Sequence, residues 1–189
     1  MASASGNGST ARAEGAARTR TALIEAGLRL AEETGLEALT ADVVVGEAGV
    51  SKGTFFHHFG DRPSYLIALH RHFHDALRDE VLAADPDAAP GRDRVVAMST
   101  AYLNSCLRHR GVKALLLEAR GSAILGDEIV RRNAESASLL RPDFVALGRQ
   151  YPTESARLWV ALVAECALVE LERGSRNQRA RRALFRFLD

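Results

Sequence analysis

One segment constrains this chain more than any other: residues 40–59, which read TADVVVGEAGVSKGTFFHHF. Thr40 is a typical helix N-cap and Gly49 a typical helix stop, so the first half of the segment predicts a short helix. Ser51 supplies the cap of a second short helix. Val50 provides the apolar wedge needed where two helices meet with almost no linker. The segment therefore predicts two short helices joined by a tight turn.

The rest of the chain also has helical patterning. An amphipathic helix over residues 18–34 precedes the segment, and a long helix capped by Asp61 follows it. Beyond the turn-rich stretch 83–92, further helices are predicted at about 92–109, 112–120, 123–140, 142–150, 153–173 and 177–188. No alternating run bounded by turn residues predicts a strand. The sequence thus predicts an all-α fold of about nine or ten helices.

The helix pattern and the composition also divide the chain. Residues 1–16 are small and polar and are predicted to be a disordered tail. Residues 17–62 are predicted to form an N-terminal three-helix domain whose helix-turn-helix motif spans 40–59. Residues 63–189 are predicted to form a larger helical domain.

Three features over residues 18–73 carry a resemblance to a known family. They are an Ala-Gly-Leu-x-Leu core in the opening helix, the pattern T-x-x-x-V…A-G-V-S-K-G-T-F, and the exit H-F-G-D-R. These features resemble the DNA-binding domain of the TetR family of bacterial transcriptional regulators. The resemblance implies a helix-turn-helix DNA-binding domain, followed by a helical domain for ligand binding and dimerisation. An ordinary helical hairpin within an α-bundle is the alternative for residues 40–59.

Side-chain chemistry then assigns the contacts with double-stranded DNA. The second helix of the motif offers its exposed side to base edges, with the candidates Lys52, Thr54 and His57. Contacts that position the duplex through phosphates are assigned to Thr40, Ser51, His58 and Arg62. Backbone or minor-groove contacts are assigned to Arg18 and Arg20.

Some residues depart from the family pattern. Phe56 stands where an aromatic hydroxyl ordinarily binds phosphate, and Arg62 replaces a lysine but keeps its charge. Asp42 places a carboxylate in the first turn of the first short helix, where it repels nearby phosphates. The first 62 residues carry six Lys and Arg against eight Asp and Glu, a net charge of −2. DNA binding by this domain therefore depends on where its few cations lie.

Residues 63–189 supply the candidates for a small-molecule pocket and for a homodimer. The predicted pocket lining is Tyr102, Cys106, Leu116, Arg120, Ile124, Phe144 and Trp159. The predicted dimer interface, on the last two helices, is Leu162, Val169, Leu184 and Phe187. Glu165 lies within the apolar run 158–171 and either pairs across the dimer or binds a cationic ligand. The remaining cations near the C-terminus are predicted to form a solvated face, comprising Arg173, Arg176, Arg179, Arg181, Arg182 and Arg186.

Other classes of site find little support. His70 and His74 lie one helical turn apart, a spacing that suits a metal, and Asp75 and His109 are the residues that could complete a site. No Cys or Glu with metal-ligand spacing supports them locally, so no metal site is predicted. No phosphate loop or nucleophile with an evident base is visible, so we expect neither an enzyme nor a bound cofactor.

The sequence as a whole predicts a dimeric, ligand-responsive transcriptional regulator, more specifically a repressor of a palindromic operator. The N-terminal stretch lacks the apolar core of a secretory signal and no run is long enough to span a membrane, so we expect a cytoplasmic protein. The alternative is a helical scaffold or small-molecule-binding protein that has weak or lost operator affinity.

Overall fold

A computed structural model of the chain describes residues 6–34, 38–109 and 124–189. These residues hold eight helices and no strand, which confirms the all-α prediction. The helices are α1 Gly6–Glu33, α2 Ala41–Ala48, α3 Lys52–Phe59, α4 Arg62–Ala83, α5 Arg92–Arg108, α6 Gly126–Ala146, α7 Pro152–Arg173 and α8 Gln178–Arg186. The helix predicted over 112–120 lies outside the described residues, as does the predicted end of the first helix at Gly35. The chain divides into two compact units, residues 1–72 and 73–189.

The first unit is built on aromatic side chains that α3 and α4 present to one another. Phe55 and Tyr65 are fully buried, with ring centroids 4.9 Å apart, and Phe59 lies 5.0 Å from Tyr65. The Tyr65 hydroxyl donates a hydrogen bond of 2.9 Å to the carbonyl oxygen of Leu23 in α1. Burial raises the pKa of Tyr65, so this hydroxyl keeps its proton. A rigid aromatic core thus holds the short helix α3 against α1 and α4.

Two boundaries in this unit differ from the sequence prediction. α1 begins at Gly6, so residues 6–16 are helical where a disordered tail was predicted. The alanines between residues 11 and 17 favour this extension, since alanine has the highest helix propensity. The division between units falls after His72, inside α4, whereas the sequence placed it after Arg62. The first turns of α4 belong to the first unit because Tyr65, Leu66 and Leu69 are buried there.

The second unit surrounds the only tryptophan of the chain. Trp159 of α7 is buried with Phe144 of α6 and Leu103 of α5, and its indole Nε1 donates a 3.0 Å hydrogen bond to Ser99 Oγ. Leu184 of α8 joins the same core. These contacts pack α7 against α5, α6 and α8 in one hydrophobic cluster.

One long helix, α6, replaces the two that the sequence predicted over 123–140 and 142–150. Pro142 lies inside it, although proline removes a backbone donor. Buried neighbours hold the helix together at this point: Phe144 lies in the core, and Asp143 accepts two hydrogen bonds from the Arg94 guanidinium of α5, at 2.8 and 2.6 Å. Asp143 also accepts the backbone N–H of Gly91 and so ties the residue before α5 to α6. Tertiary contacts therefore override the local signal of the proline.

Candidate nucleic-acid interface

The helix-turn-helix predicted from residues 40–59 is present with its predicted caps. Thr40 Oγ1 accepts the backbone N–H of Val43 at 3.3 Å, and Ser51 Oγ accepts that of Thr54 at 3.2 Å. Between the helices, Gly49 has the left-handed values φ 67° and ψ 31°. A side chain at Gly49 would strain that conformation, so glycine is what lets α2 and α3 meet within three residues. The predictions for these caps and for this turn are confirmed.

The wedge between the helices is partly as predicted. Val44, Phe55 and Phe59 are buried, while Ala48 and Val50 are half-buried. One face of α3 is therefore fixed in the core, and the opposite face is left for other contacts.

The three predicted base-edge candidates differ in their exposure. Lys52 and His57 are exposed, whereas Thr54 is half-buried and its hydroxyl shares a 2.8 Å hydrogen bond with Ser51 Oγ. The Thr54 hydroxyl is therefore already engaged in a hydrogen bond at the start of α3. Of the three candidates, Lys52 and His57 are therefore the two whose side chains are exposed to solvent.

Lys52 has a partner that spacing alone did not predict. Its ammonium nitrogen lies 2.9 Å from both carboxylate oxygens of Asp42, in the first turn of α2. Both side chains are more than half exposed. The ammonium group at the start of α3 thus lies next to a carboxylate of α2.

Arg62 was predicted to contact phosphate, and the structure gives it a second role. Its Nε donates a 2.8 Å hydrogen bond to the carbonyl oxygen of Leu39, directly before the cap of α2. Asp61 caps α4 by accepting the backbone N–H of Ser64 at 2.7 Å, and this bond lowers the pKa of Asp61. Arg62 therefore ties the first turn of α4 to the entry of α2.

Arg20 and His58 lie near Phe59 at the end of α3. The Arg20 guanidinium carbon lies 5.0 Å from the centre of the Phe59 ring, a cation–π distance. Partial burial, then the neighbouring His57 and Arg20, lower the pKa of His58 below its usual value. His58 therefore takes up a proton less readily than a free imidazole does. Arg18, two residues before Arg20 on α1, is exposed.

Phe56 is 44% exposed on α3, packed edge-on against Phe55 at 5.4 Å. An exposed phenylalanine ring at this point in a reading helix has no hydroxyl for a phosphate. This departure from the family pattern therefore lies on the surface and not in the core.

Three of the seven predicted pocket residues belong to the core of the second unit. Cys106, Phe144 and Trp159 are buried in its hydrophobic cluster, while Tyr102 and Ile124 are half-buried. Leu116 and Arg120 lie outside the described residues.

The predicted dimer residues separate into two groups. Leu162 and Phe187 are 36% and 64% exposed, and Val169 is half-buried. Leu184 is 4% exposed because it packs into the core of its own chain, which leaves little of its side chain for a second copy. Leu158, at 67% exposed, lies one turn before Leu162 and is a further exposed apolar side chain of α7.

The second unit also contains a buried ion pair that the sequence pattern did not predict. Arg181 donates from Nε and Nη2 to the two carboxylate oxygens of Glu170, both at 2.7 Å, and from Nη1 to Asn104 Oδ1 at 2.8 Å. Glu170 also accepts the backbone N–H of Asn177, which precedes α8. Arg181 therefore does not belong to the predicted solvated face of arginines. The signal that was available is its position three residues before Leu184, on the same face of α8.

Within the described part of the chain, no three His, Cys, Asp or Glu side chains gather as a metal site would require. His70 is buried and His74 half-buried on α4. None of the described helices is long and apolar enough to cross a membrane.

Comparison with known proteins identifies the N-terminal domain. Residues 23–64 match the family model described as bacterial regulatory proteins, tetR family. The HTH-type transcriptional regulator BetI of Rhizobium meliloti (strain 1021) is 39% identical over 79 residues, which make up 42% of this chain and 39% of that protein. The chain thus matches about two fifths of the length of that relative.

Solved structures extend the likeness to the fold of both units. A TetR-family regulator from Rhodococcus sp. has a TM-score of 0.79 at 22% identity, covering 91% of this chain and 97% of that one. Multidrug binding protein EbrR, solved in complex with imidazole, has a TM-score of 0.73 at 22% identity, covering 90% and 94%. Residues 23–64 are thus a domain of the tetR type, and the described chain has a fold similar to that of a TetR-family regulator.

Proposed function

We propose that this protein is a homodimeric transcriptional repressor that binds a palindromic operator and releases it when a small molecule binds. The observation that carries the proposal is the capped pair α2 and α3, joined at Gly49, with Lys52 and His57 exposed on the outer face of α3. A helix held in this way fits the major groove of DNA and offers its N-terminal side chains to base edges.

The contacts with DNA divide by chemistry. Lys52 and His57 are the base-reading side chains, since they are exposed on α3. Phosphates are bound around them by hydroxyls and cations at the helix ends, namely Thr40, Ser51, His58 and Arg62. Arg18 and Arg20 of α1 extend this contact along the backbone or into the minor groove.

Dimerisation supplies the second reading helix. On α7, residues 158, 162, 165 and 169 follow helical spacing along one face, where Leu158 and Leu162 are exposed. Phe187 adds a further exposed apolar side chain just after α8. Burying this face against a second copy places two α3 helices at successive major grooves, roughly 34–36 Å apart. Glu165, exposed within the same face, then pairs with a cation of the other copy.

Residues 73–189 are the proposed effector-binding unit. Support comes from the shared fold with multidrug binding protein EbrR, whose structure holds imidazole. Tyr102 and Ile124 are half-buried and remain candidates for contact with the effector, together with Leu116 and Arg120. An effector that binds one conformation of this unit better than another shifts the protein away from its DNA-binding state. We propose that the protein works in the cytoplasm, where chromosomal DNA is accessible.

A mobility-shift assay with DNA from either side of the protein's own gene tests this function. We expect a retarded complex that excess unlabelled DNA of the same sequence removes and unrelated DNA does not. Lys52→Ala is expected to weaken the complex, and Arg182→Ala, which removes an exposed cation from α8, serves as the matched control. Failure of the wild-type protein to bind any such DNA at low salt would favour a helical small-molecule-binding protein without operator affinity.

A further inference from the structure

The feature that carries a further inference is the ion pair between Asp42 and Lys52. These residues are in the first turns of α2 and α3, ten positions apart in sequence, and the Gly49 turn brings them together. The Lys52 ammonium lies 2.9 Å from each carboxylate oxygen of Asp42. The caps Thr40 and Ser51 fix the two helix starts that carry these side chains.

The pair stands at the end of α3 that enters the major groove. Lys52 is 55% and Asp42 71% exposed, so both charged groups are open to a ligand while they remain bonded to one another. Whatever base edge the ammonium reaches, the carboxylate lies one hydrogen bond away from it. The unit that meets DNA is therefore a donor and an acceptor side by side, and not a lone cation.

This combination has a matching base pair. Lysine only donates and an ionised carboxylate only accepts. In the major groove guanine offers two neighbouring acceptors, N7 and O6, and its partner cytosine offers the N4 amino donor. An A·T pair instead places its amino donor between two acceptors, so the ammonium finds no adjacent pair of acceptors. Resting on the function proposed above, we propose that Asp42 and Lys52 together read one G·C base pair in each half-site.

The carboxylate sharpens this choice by repulsion. Facing a cytosine amino group, Asp42 gains a hydrogen bond; facing a thymine or guanine oxygen, it meets a like partial charge. Phosphates also repel it, so Asp42 is unfavourable on DNA unless a base donor compensates. Asp42 thus acts as a specificity residue, with Lys52 supplying the attraction.

The experiment starts by selecting bound duplexes from a randomised library with the wild-type protein. Dissociation constants are then measured by fluorescence anisotropy for the selected site and for all base changes in one half-site. We expect one position where replacing G·C costs the wild type about tenfold or more in affinity. Asp42→Ala is expected to lose most of that discrimination at this position and to keep it elsewhere.

Two further sets of variants separate reading from bulk charge. Glu47→Gln removes one exposed carboxylate from the same helix α2, where Glu47 pairs with Arg29, and is expected to keep the G·C preference. Lys52→Ala is expected to lose it, and the Asp42→Ala, Lys52→Ala double variant to lose no more than either single change, because the two act as one unit. Asp42→Asn, which keeps the side-chain size, repeats the test if Asp42→Ala disturbs α2.

If Asp42→Ala and Glu47→Gln strengthen binding to every sequence alike, Asp42 contributes repulsion only and the inference is overturned. Retention of the full G·C preference by Asp42→Asn and Asp42→Ala overturns it as well. Failure of the wild type to select any duplex is a different result, because it rejects the proposed DNA-binding function itself.

Discussion

At the scale of single residues, Arg181 and Glu170 form the most demanding interaction in the described structure. Their side chains are 3% and 1% exposed, so both charges have lost their hydration. Four hydrogen bonds compensate for that loss. Two of 2.7 Å join Arg181 to Glu170, a third runs from Arg181 to Asn104, and the fourth runs from the backbone N–H of Asn177 to Glu170. The pair therefore fixes where α8 docks on α5 and α7.

Arg181→Ala is expected to destabilise the second unit by about 3–5 kcal/mol, because it leaves Glu170 buried without its partner. The sole tryptophan, Trp159, lies in that core, so its fluorescence during urea denaturation reports the loss. Arg182→Ala, one residue further and exposed, is expected to change stability by less than about 0.5 kcal/mol. Equal denaturation midpoints for Arg181→Ala and the wild type would contradict this account.

Residue identity predicted the helix caps of the helix-turn-helix but not the ion pairs between side chains. Thr40, Ser51 and Gly49 act locally, within a turn of the chain, and so their roles were readable from the sequence. The partners Asp42 and Lys52 depend on the path of the Gly49 turn, and Arg181 and Glu170 on how two helices dock. Such pairings arise from tertiary geometry, which a one-dimensional charge pattern does not contain.

At the scale of elements, the contact between α1 and α4 relies on a glycine. A Cβ on Gly27 would lie 1.8 Å from the Tyr65 hydroxyl oxygen and 3.1 Å from a Leu69 methyl. That hydroxyl is held by its bond to Leu23, so it cannot move aside without losing a buried hydrogen bond. The close approach of these helices is what buries the aromatic core behind α3.

Gly27→Ala is therefore expected to destabilise the first unit by about 1–3 kcal/mol through overpacking. Gly46→Ala is the control on α2: nothing lies within 4 Å of its added Cβ, so alanine is expected to stabilise the helix by up to ~1 kcal/mol. Thermal unfolding followed by circular dichroism measures both. The cost of Gly27→Ala is expected to shrink in a Tyr65→Phe background, and an unchanged cost there would show that the hydroxyl is not the obstacle.

The sequence predicted helix boundaries correctly where the signal is local and incorrectly where tertiary packing decides them. The starts of α2, α3 and α4 follow from Thr40, Ser51 and Asp61. Pro142 predicted a helix end, but α6 continues through it because Asp143 is bonded to Arg94 of α5 and Phe144 is buried in the core. Proline chemistry is local, whereas the contacts that overcome it come from α5 and α7.

At the scale of the whole molecule, the exposed apolar side chains on α7 and Phe187 just after α8 are the proposed contacts with a second copy of the chain. Leu162→Glu is expected to yield a monomer, because it places an unpaired charge in the proposed interface. Val130→Glu, the same kind of change at an exposed site on α6, is expected to leave a dimer. Light scattering after size-exclusion chromatography determines the mass. A monomeric wild type at micromolar concentration would refute the dimer.

The claim on which the rest depends is that α2 and α3 read DNA sequence. Anisotropy titrations of the wild-type protein, with the duplex from its own gene and a shuffled duplex across a series of salt concentrations, test it most directly. We expect affinity to fall steeply with salt for both duplexes, and the gene-derived duplex to bind roughly 10³-fold or more tightly than the shuffled one. Equal affinity for the two duplexes at every salt concentration would contradict sequence reading by this protein.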